Sequence, residues 1–303
     1  LISVIMPFAN MIDMLTVNPC IKTAMKASPH TFDSLLSDKL TTDMLPNFIY
    51  GSYTGLAVTV FGLVPTITAM FGKSILPSLA ESCAKNDKKA MQSGLTKMLI
   101  VTSIIAIPAG MGIAVLSEPI LRFLFGGRET EIQVCIMPMS ILGIAVIFLA
   151  IATPCFAILQ TLGKPHKAII IMSAGGIIKL FLNIILIRQP IINISGAAIS
   201  TLVSEVFICV LSVRSVCKMT DLKPKVSEIF VKPTYAAITC SVTAILSHET
   251  LTKIAHLQIN HRFVTLFSIG IGSTMYFFCL YLLCETPKNI VNYIFSKKNP
   301  QNP

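Results

Sequence analysis

AIIIMSAGGIIKLFLNIILI, residues 168–187, decides the fold, because its only charge is Lys179, near the middle. About 20 mostly apolar helical residues cross the roughly 30 Å hydrocarbon layer of a bilayer, so this run reads as a membrane span. A lysine at the centre of a span costs roughly 2.5–3.5 kcal/mol on insertion scales, and it therefore faces a partner, a polar cavity or a passing substrate.

Working outward, seven further runs have the same character: approximately Leu1 to Ile21, Tyr50 to Ala80, Ser93 to Ser117, Glu131 to Thr161, Gly196 to Cys217, Val231 to His248 and Phe263 to Cys284. The whole chain is 53% hydrophobic and 13% charged, with mean hydropathy +0.76, which excludes a water-soluble domain of 303 residues. Every backbone N–H and C=O must find a partner inside the bilayer, and the ten-residue alternation of a membrane β-barrel is absent, so the spans are helices. The expected fold is all-α, a polytopic bundle of eight transmembrane helices.

Lys and Arg set the orientation, because cationic loops stay in the cytoplasm. One side holds fourteen: Lys85, Lys88, Lys89, Lys97, Lys164, Lys167, Arg214, Lys218, Lys223, Lys225, Lys232, Lys288, Lys297 and Lys298. The other side holds eight: Lys22, Lys26, Lys39, Arg122, Arg128, Arg188, Lys253 and Arg262. Both ends of the segment are thus expected in the cytoplasm. The net charge of +10 is accounted for by this retention signal and by anionic lipid head groups, with no nucleic-acid partner implied.

The chain opens at Leu1 within an apolar helix, without an initiator methionine or a signal peptide, and reads as the carboxyl part of something longer. Its nine cysteines are dispersed. No CxxC pair, Cys/His cluster, Ser/His/Asp grouping, carboxylate pair or phosphate-cradling glycine loop is present, so no catalytic residue, metal or cofactor is expected. Between the first two spans, Ser28 or Ser34 is placed to cap a short surface helix, or the segment is a plain loop. The basic, Pro224-containing stretch 218–230 separates a six-span lobe, residues 1–217, from a two-span appendage and tail, residues 231–303.

Prolines 7, 65, 77, 108, 138 and 154 fall inside spans. Each removes a backbone donor and favours a bend, and bent helices suit a bundle that opens alternately to the two sides of a membrane. Gly110, Gly112, Gly175, Gly176, Gly196, Ala197 and Ala198 suit close helix packing.

Ionisable groups at membrane depth supply the candidate site. At about 1.5 Å per residue, Lys179 stands about 18 Å along the fifth span and Glu205 about 16 to 18 Å along the antiparallel sixth. A Lys179–Glu205 ion pair is therefore expected. It acts either as a structural latch or as a group that opens to meet a substrate charge. Asn10 and Asp13, three residues apart, form a polar stripe on the first helix. Lys73 lies toward one end of the second, where it can snorkel. Asn183, one turn beyond Lys179, and Gln160, ending the fourth span, complete the set of cavity candidates.

The stretches ILQTLGKP (158–165), IIKLFLNIILI (177–187) and ISGAAIST (194–201) carry a resemblance. With NMID (10–13), Tyr50-Gly51, LVP (63–65), LPSLAE (76–81), Pro108, Gly110, Gly112, EPI (118–120) and LFG (124–126), the chain resembles polysaccharide-export proteins of the stage V sporulation protein B type. These belong to the superfamily of MviN/MurJ flippases and MATE antiporters. The resemblance implies the second lobe and two trailing helices of a fourteen-span transporter, with a missing amino-terminal lobe closing the cavity. It also implies an undecaprenyl-linked saccharide as substrate, for cell-wall, spore-cortex or surface polysaccharide assembly, in the bacterial cytoplasmic membrane. The lipid tail would lie beside the trailing helices, H+ or Na+ would be the coupling ion, and Lys179 and Asp13 would face the cavity. Where relatives tend to carry an arginine pair, this chain has Val17-Asn18-Pro19-Cys20, which speaks against a phosphate clamp there. A MATE-type exporter of organic cations would need acidic residues to dominate the cavity, and a non-transporting scaffold is the third reading. An enzyme acting on lipid-linked sugars would show a catalytic carboxylate or a large soluble loop.

Overall fold

The computed structural model describes residues 2–28, 41–85, 87–221, 227–255 and 261–283, and among them there are helices and turns but no strand. In chain order the helices are α1 (Ile2–Ala27), α2 (Leu45–Ser52), α3 (Thr59–Ala84), α4 (Lys88–Val115), α5 (Ser117–Phe125), α6 (Glu129–Thr161), α7 (Pro165–Leu186), α8 (Ser195–Thr220), α9 (Lys232–Ala255) and α10 (His261–Leu283). A π-helical turn, Tyr53–Val58, joins α2 to α3 without a break. A second, Ser227–Val231, leads into α9.

Among the described residues, seven helical runs are long and apolar enough to cross a membrane, including Leu45–Met70, which runs through the π-turn, and Pro165–Leu186. The protein is a multi-pass membrane protein. The sequence leads to an expectation of eight spans, and α1 is the difference. Its 26 residues are long enough, and the side chains of its first turns, residues 2–9, lie outside the described residues. The Ser28/Ser34 surface helix and the tail beyond residue 283 lie outside the described residues. A short helix that the sequence reading leaves as loop, α5, does form, and Arg122 on it bridges Glu118 at 2.9 Å and Glu129 at the start of α6.

Local chemistry fixes the helix ends. Asp87 caps α4 by accepting from the Ala90 N–H at 3.0 Å. The turn from α6 into α7 is LGKP: Gly163 sits at φ 70°, the Gly163 N–H donates to the Gln160 carbonyl at 3.0 Å and the Lys164 N–H to the Leu159 carbonyl at 2.9 Å. That pair of bonds is a Schellman motif, which needs a left-handed residue where glycine alone is unstrained. Pro165 then opens α7, at a position where its missing N–H costs nothing. At the end of α8, the Gln92 amide donates to the Thr220 and Asp221 carbonyls, both at 3.1 Å, and Lys88 meets the Asp221 carboxylate at 3.0 Å.

Helix α6 is the axis of the bundle and packs most extensively on α8, α4 and α3. Its residues 150–159 are all buried. Small residues allow backbones to approach: a Cβ on Gly143 would lie 2.8 Å from the Ala114 Cα, and one on Gly110 would collide with Ile147. On the far side, a Cβ on Gly175 of α7 would collide with Ile208 of α8.

Prolines inside the helices leave carbonyls that neighbouring helices use. Pro154 supplies no N–H to the Ala150 carbonyl, and Thr68 of α3 donates to that oxygen at 3.4 Å. Pro108 likewise releases the Ile104 carbonyl, and Tyr276 of α10 donates to it at 2.9 Å. The α9–α10 hairpin meets α4 there, through Ala236, Ala237, Cys240, Tyr276 and Leu280 around Ile107.

Candidate functional site

The buried charges collect where α1, the π-turn, α6, α7 and α8 meet. Lys179 Nζ lies 2.9 Å from Asp13 Oδ2 of α1, with both side chains almost fully buried. The other carboxylate oxygen, Oδ1, accepts from the Asn183 amide at 2.9 Å. That amide also donates to Thr16 Oγ1 at 2.9 Å. Ser200 of α8 donates to the Asn183 carbonyl oxygen and to the Ala197 carbonyl. Three helices are thereby joined by one polar network.

The spacing of the sequence explains why these groups meet. Asp13 and Thr16 are three apart and Lys179 and Asn183 four apart, so each pair lies on one face of its helix. Two matching stripes then zip α1 to α7. Ser200 extends the zip to α8.

This pairing corrects the expectation of a Lys179–Glu205 bond. Asp13 takes the lysine, although 166 residues separate them in sequence. Depth counting compared only neighbouring helices and could not weigh α1, whose place beside α7 is a tertiary fact. Glu205 is nevertheless at the same site. It is buried at 5% exposure, and its Oε2 has no hydrogen-bond partner.

Beside the ion pair lies a small pocket of about 20 Å³ lined by Asn10, Asp13, Lys179 and Glu205 together with Tyr53, Val58, Phe61, Leu142, Leu149 and Thr201. That volume admits about one water molecule. Four of the seven candidates from sequence line it. Asn183 stands behind it in the hydrogen-bond network. Gln160 is elsewhere, in the last turn of α6, with its Nε2 buried and without a partner. Lys73 lies on α3, and its side chain is outside the described residues, so the expectation for it goes no further.

Sequence reasoning missed Tyr53, Thr201, Thr16 and Ser200. Tyr53 is 1% exposed and opens the π-turn. Such turns often stand at functional sites, but no local pattern announces one. Thr16 did carry a signal, being three residues beyond Asp13 on the stripe that began at Asn10. Thr201 and Ser200 stand at the end of ISGAAIST, where the sequence reading singles out Gly196, Ala197 and Ala198 and neither hydroxyl.

A second concavity, of about 720 Å³, runs between α4 and the α9–α10 hairpin. Its lining is almost wholly apolar, including Ile104, Pro108, Ile113, Ala244, Ile269 and Phe277. Among the described residues no group of three His, Cys, Asp or Glu is placed to hold a metal ion.

The fold is an all-helical membrane bundle with a buried, charged seam. The lipid II flippase MurJ family matches residues 48–271, and the chain belongs to that family. Among curated relatives, the lipid II flippase MurJ of Bacillus subtilis (strain 168) is 26% identical over 136 residues, 45% of this chain and 25% of the relative. Stage V sporulation protein B of the same organism is 22% identical over 182 residues, 59% of this chain and 34% of the relative. A solved structure of lipid II flippase MurJ in an inward closed conformation superposes with a TM-score of 0.59 at 17% identity, over 78% of this chain and 47% of the other. The resemblance read from the LGKP and IIKLFLN stretches is thus confirmed at the level of family. The chain spans a quarter to a third of the length of these curated relatives.

Proposed function

We propose that this chain forms the carboxyl lobe of a flippase that moves a lipid-linked saccharide, with an undecaprenyl carrier, across the bacterial cytoplasmic membrane. The observation that carries the reading is the charged seam at mid-span, Asp13 with Lys179 and Glu205 beside them, in a chain of the MurJ family. Residues 1–217 form the lobe and residues 231–303 the trailing pair with its tail, both ends lying in the cytoplasm. An amino-terminal lobe completes the cavity. An H+ or Na+ gradient or the membrane potential drives alternation.

The chemistry fits the task. A pyrophosphate crossing the low-dielectric core needs fixed cations in a wet cavity, and Lys179 is a cation at membrane depth. A pocket of about 20 Å³ is far too small for a saccharide head group, so the seam serves as a latch in this conformation and contributes its lysine after opening. The same lysine disfavours organic cations as cargo.

The test is translocation of a fluorescent undecaprenyl-pyrophosphoryl saccharide in proteoliposomes of the whole protein. Transfer between leaflets that falls at least tenfold in Lys179→Ala, with insertion unchanged, is the expected result. Wild-type protein that moves cationic dyes and leaves the lipid-linked saccharide in place would overturn the reading.

A further inference from the structure

We propose that Lys179 is a shared counter-ion with two carboxylate seats, Asp13 on α1 and Glu205 on α8, and that transfer between them fastens and releases α1. The inference does not depend on which molecule is carried.

Three observations support it. First, both carboxylates and the lysine line one pocket of about 20 Å³, whose remaining walls are Asn10, Tyr53, Thr201 and four apolar side chains. One ammonium therefore shares a pocket with two acids. Second, the occupancy is unequal, with Asp13 held at 2.9 Å while Glu205 Oε2 is buried without a hydrogen-bond partner. An ionised carboxylate in that position is costly unless a cation reaches it. Third, the register sets Glu205 about one turn below the lysine's backbone, on the side toward the start of α7. Ser204 Oγ donates to the Gly175 carbonyl at 2.9 Å, and Gly175 is one turn before Lys179. Helical side chains lean toward the N-terminus of their own helix, so Lys179 leans from its backbone position toward the level of Ser204 and Glu205.

The consequence falls on α1. Its extensive contact is with α7, and its contacts with α2 and α6 are slight, while Met11, Met14 and Leu15 face outward at 53%, 67% and 67% exposure. The Asp13 contacts are the polar part of that seam. When Lys179 moves to Glu205, α1 loses its only described ion pair to the rest of the bundle and keeps the weaker Asn183 and Thr16 bonds. The ammonium is paired in both seats, and the acid it leaves takes up the proton that the acid it joins gives up, so the pocket never holds two carboxylates on one cation.

A double-mutant cycle on the protein purified in detergent tests this, read as melting temperature. Asp13→Asn and Glu205→Gln each leave Lys179 one carboxylate, so each single variant melts slightly below the parent. Asp13→Asn with Glu205→Gln leaves the lysine none, and its melting temperature falls by more than the sum of the two single shifts. A double variant that fails to fold also supports the proposal, provided that adding Lys179→Met restores folding. Amide hydrogen exchange in α1 is expected to quicken in Asp13→Asn and to stay at the parent rate in Glu205→Gln. The proposal is overturned if the shifts are additive, or if Asp13→Asn alone melts as low as the double variant.

Discussion

Two peripheral elements dock on the α6-centred bundle by opposite means. Helix α1 is zipped to α7 through Asp13, Lys179, Asn183 and Thr16, a seam whose polar groups are matched to one another. The α9–α10 hairpin lies on α4 through apolar side chains and one hydroxyl, that of Tyr276, on a carbonyl released by Pro108. The difference is in how each seam fails. Removing one partner of a buried ion pair strands the other in a medium that cannot solvate it, whereas removing one hydroxyl from an apolar seam loses only that bond. Charge therefore makes the α1 seam all-or-none and suited to switching, and the hairpin seam is graded.

The largest expected effect is on the ionic seam. Asp13→Asn combined with Glu205→Gln, which removes both carboxylates from the pocket, should destabilise the protein by about 3–5 kcal/mol, the cost of an uncompensated buried charge, measured by denaturant unfolding in mixed micelles. An unfolding curve unchanged within error would mean that the seam is hydrated and the contrast with the hairpin is lost.

Next come the close backbone approaches. Gly175→Ala drives a methyl into Ile208 and Ser204 and is expected to cost about 1–3 kcal/mol, as overpacking does. Gly272→Ala on α10 meets Ala244 at 3.0 Å and the Cys240 carbonyl at 3.4 Å and should cost less than about 1 kcal/mol. The ratio of the two measures how much tighter the α7–α8 contact is than the hairpin's own. If Gly272→Ala proves the more costly, the hairpin is the rigid element.

Smallest is the hydroxyl. Tyr276→Phe should cost about 1 kcal/mol when Pro108 is present, and nearly nothing in Pro108→Ala, where a restored N–H claims the Ile104 carbonyl. Equal costs in the two backgrounds would show that the proline is not what opens the carbonyl to Tyr276.

Much of this architecture was legible in the chain. Apolar runs of span length, the LGKP turn and the polar stripes on α1 and α7 are local patterns, and local patterns report helices and their faces. The π-turn that carries Tyr53, the short helix α5 and the partner of Lys179 were not, because each depends on what lies across the bundle. Spacing along the chain offered the lysine one acid, Glu205. Residue counting favoured Glu205 because α8 follows α7 in sequence, and the fold favoured Asp13 because α1 packs along α7.

By itself, then, the sequence determined that the chain crosses a membrane as helices, that one lysine at mid-span must be compensated, and that Asp13 and Glu205 are acids on spans. The cost of burying charge in hydrocarbon acts on every residue regardless of its neighbours, which is why it can be read locally. Which acid takes the lysine, which carbonyl Pro108 gives to Tyr276, and which helix α1 packs along were decided by helix packing. Those answers rest on distances between segments more than a hundred residues apart, and hydrogen bonds and ion pairs form only at the few ångströms that the tertiary structure sets.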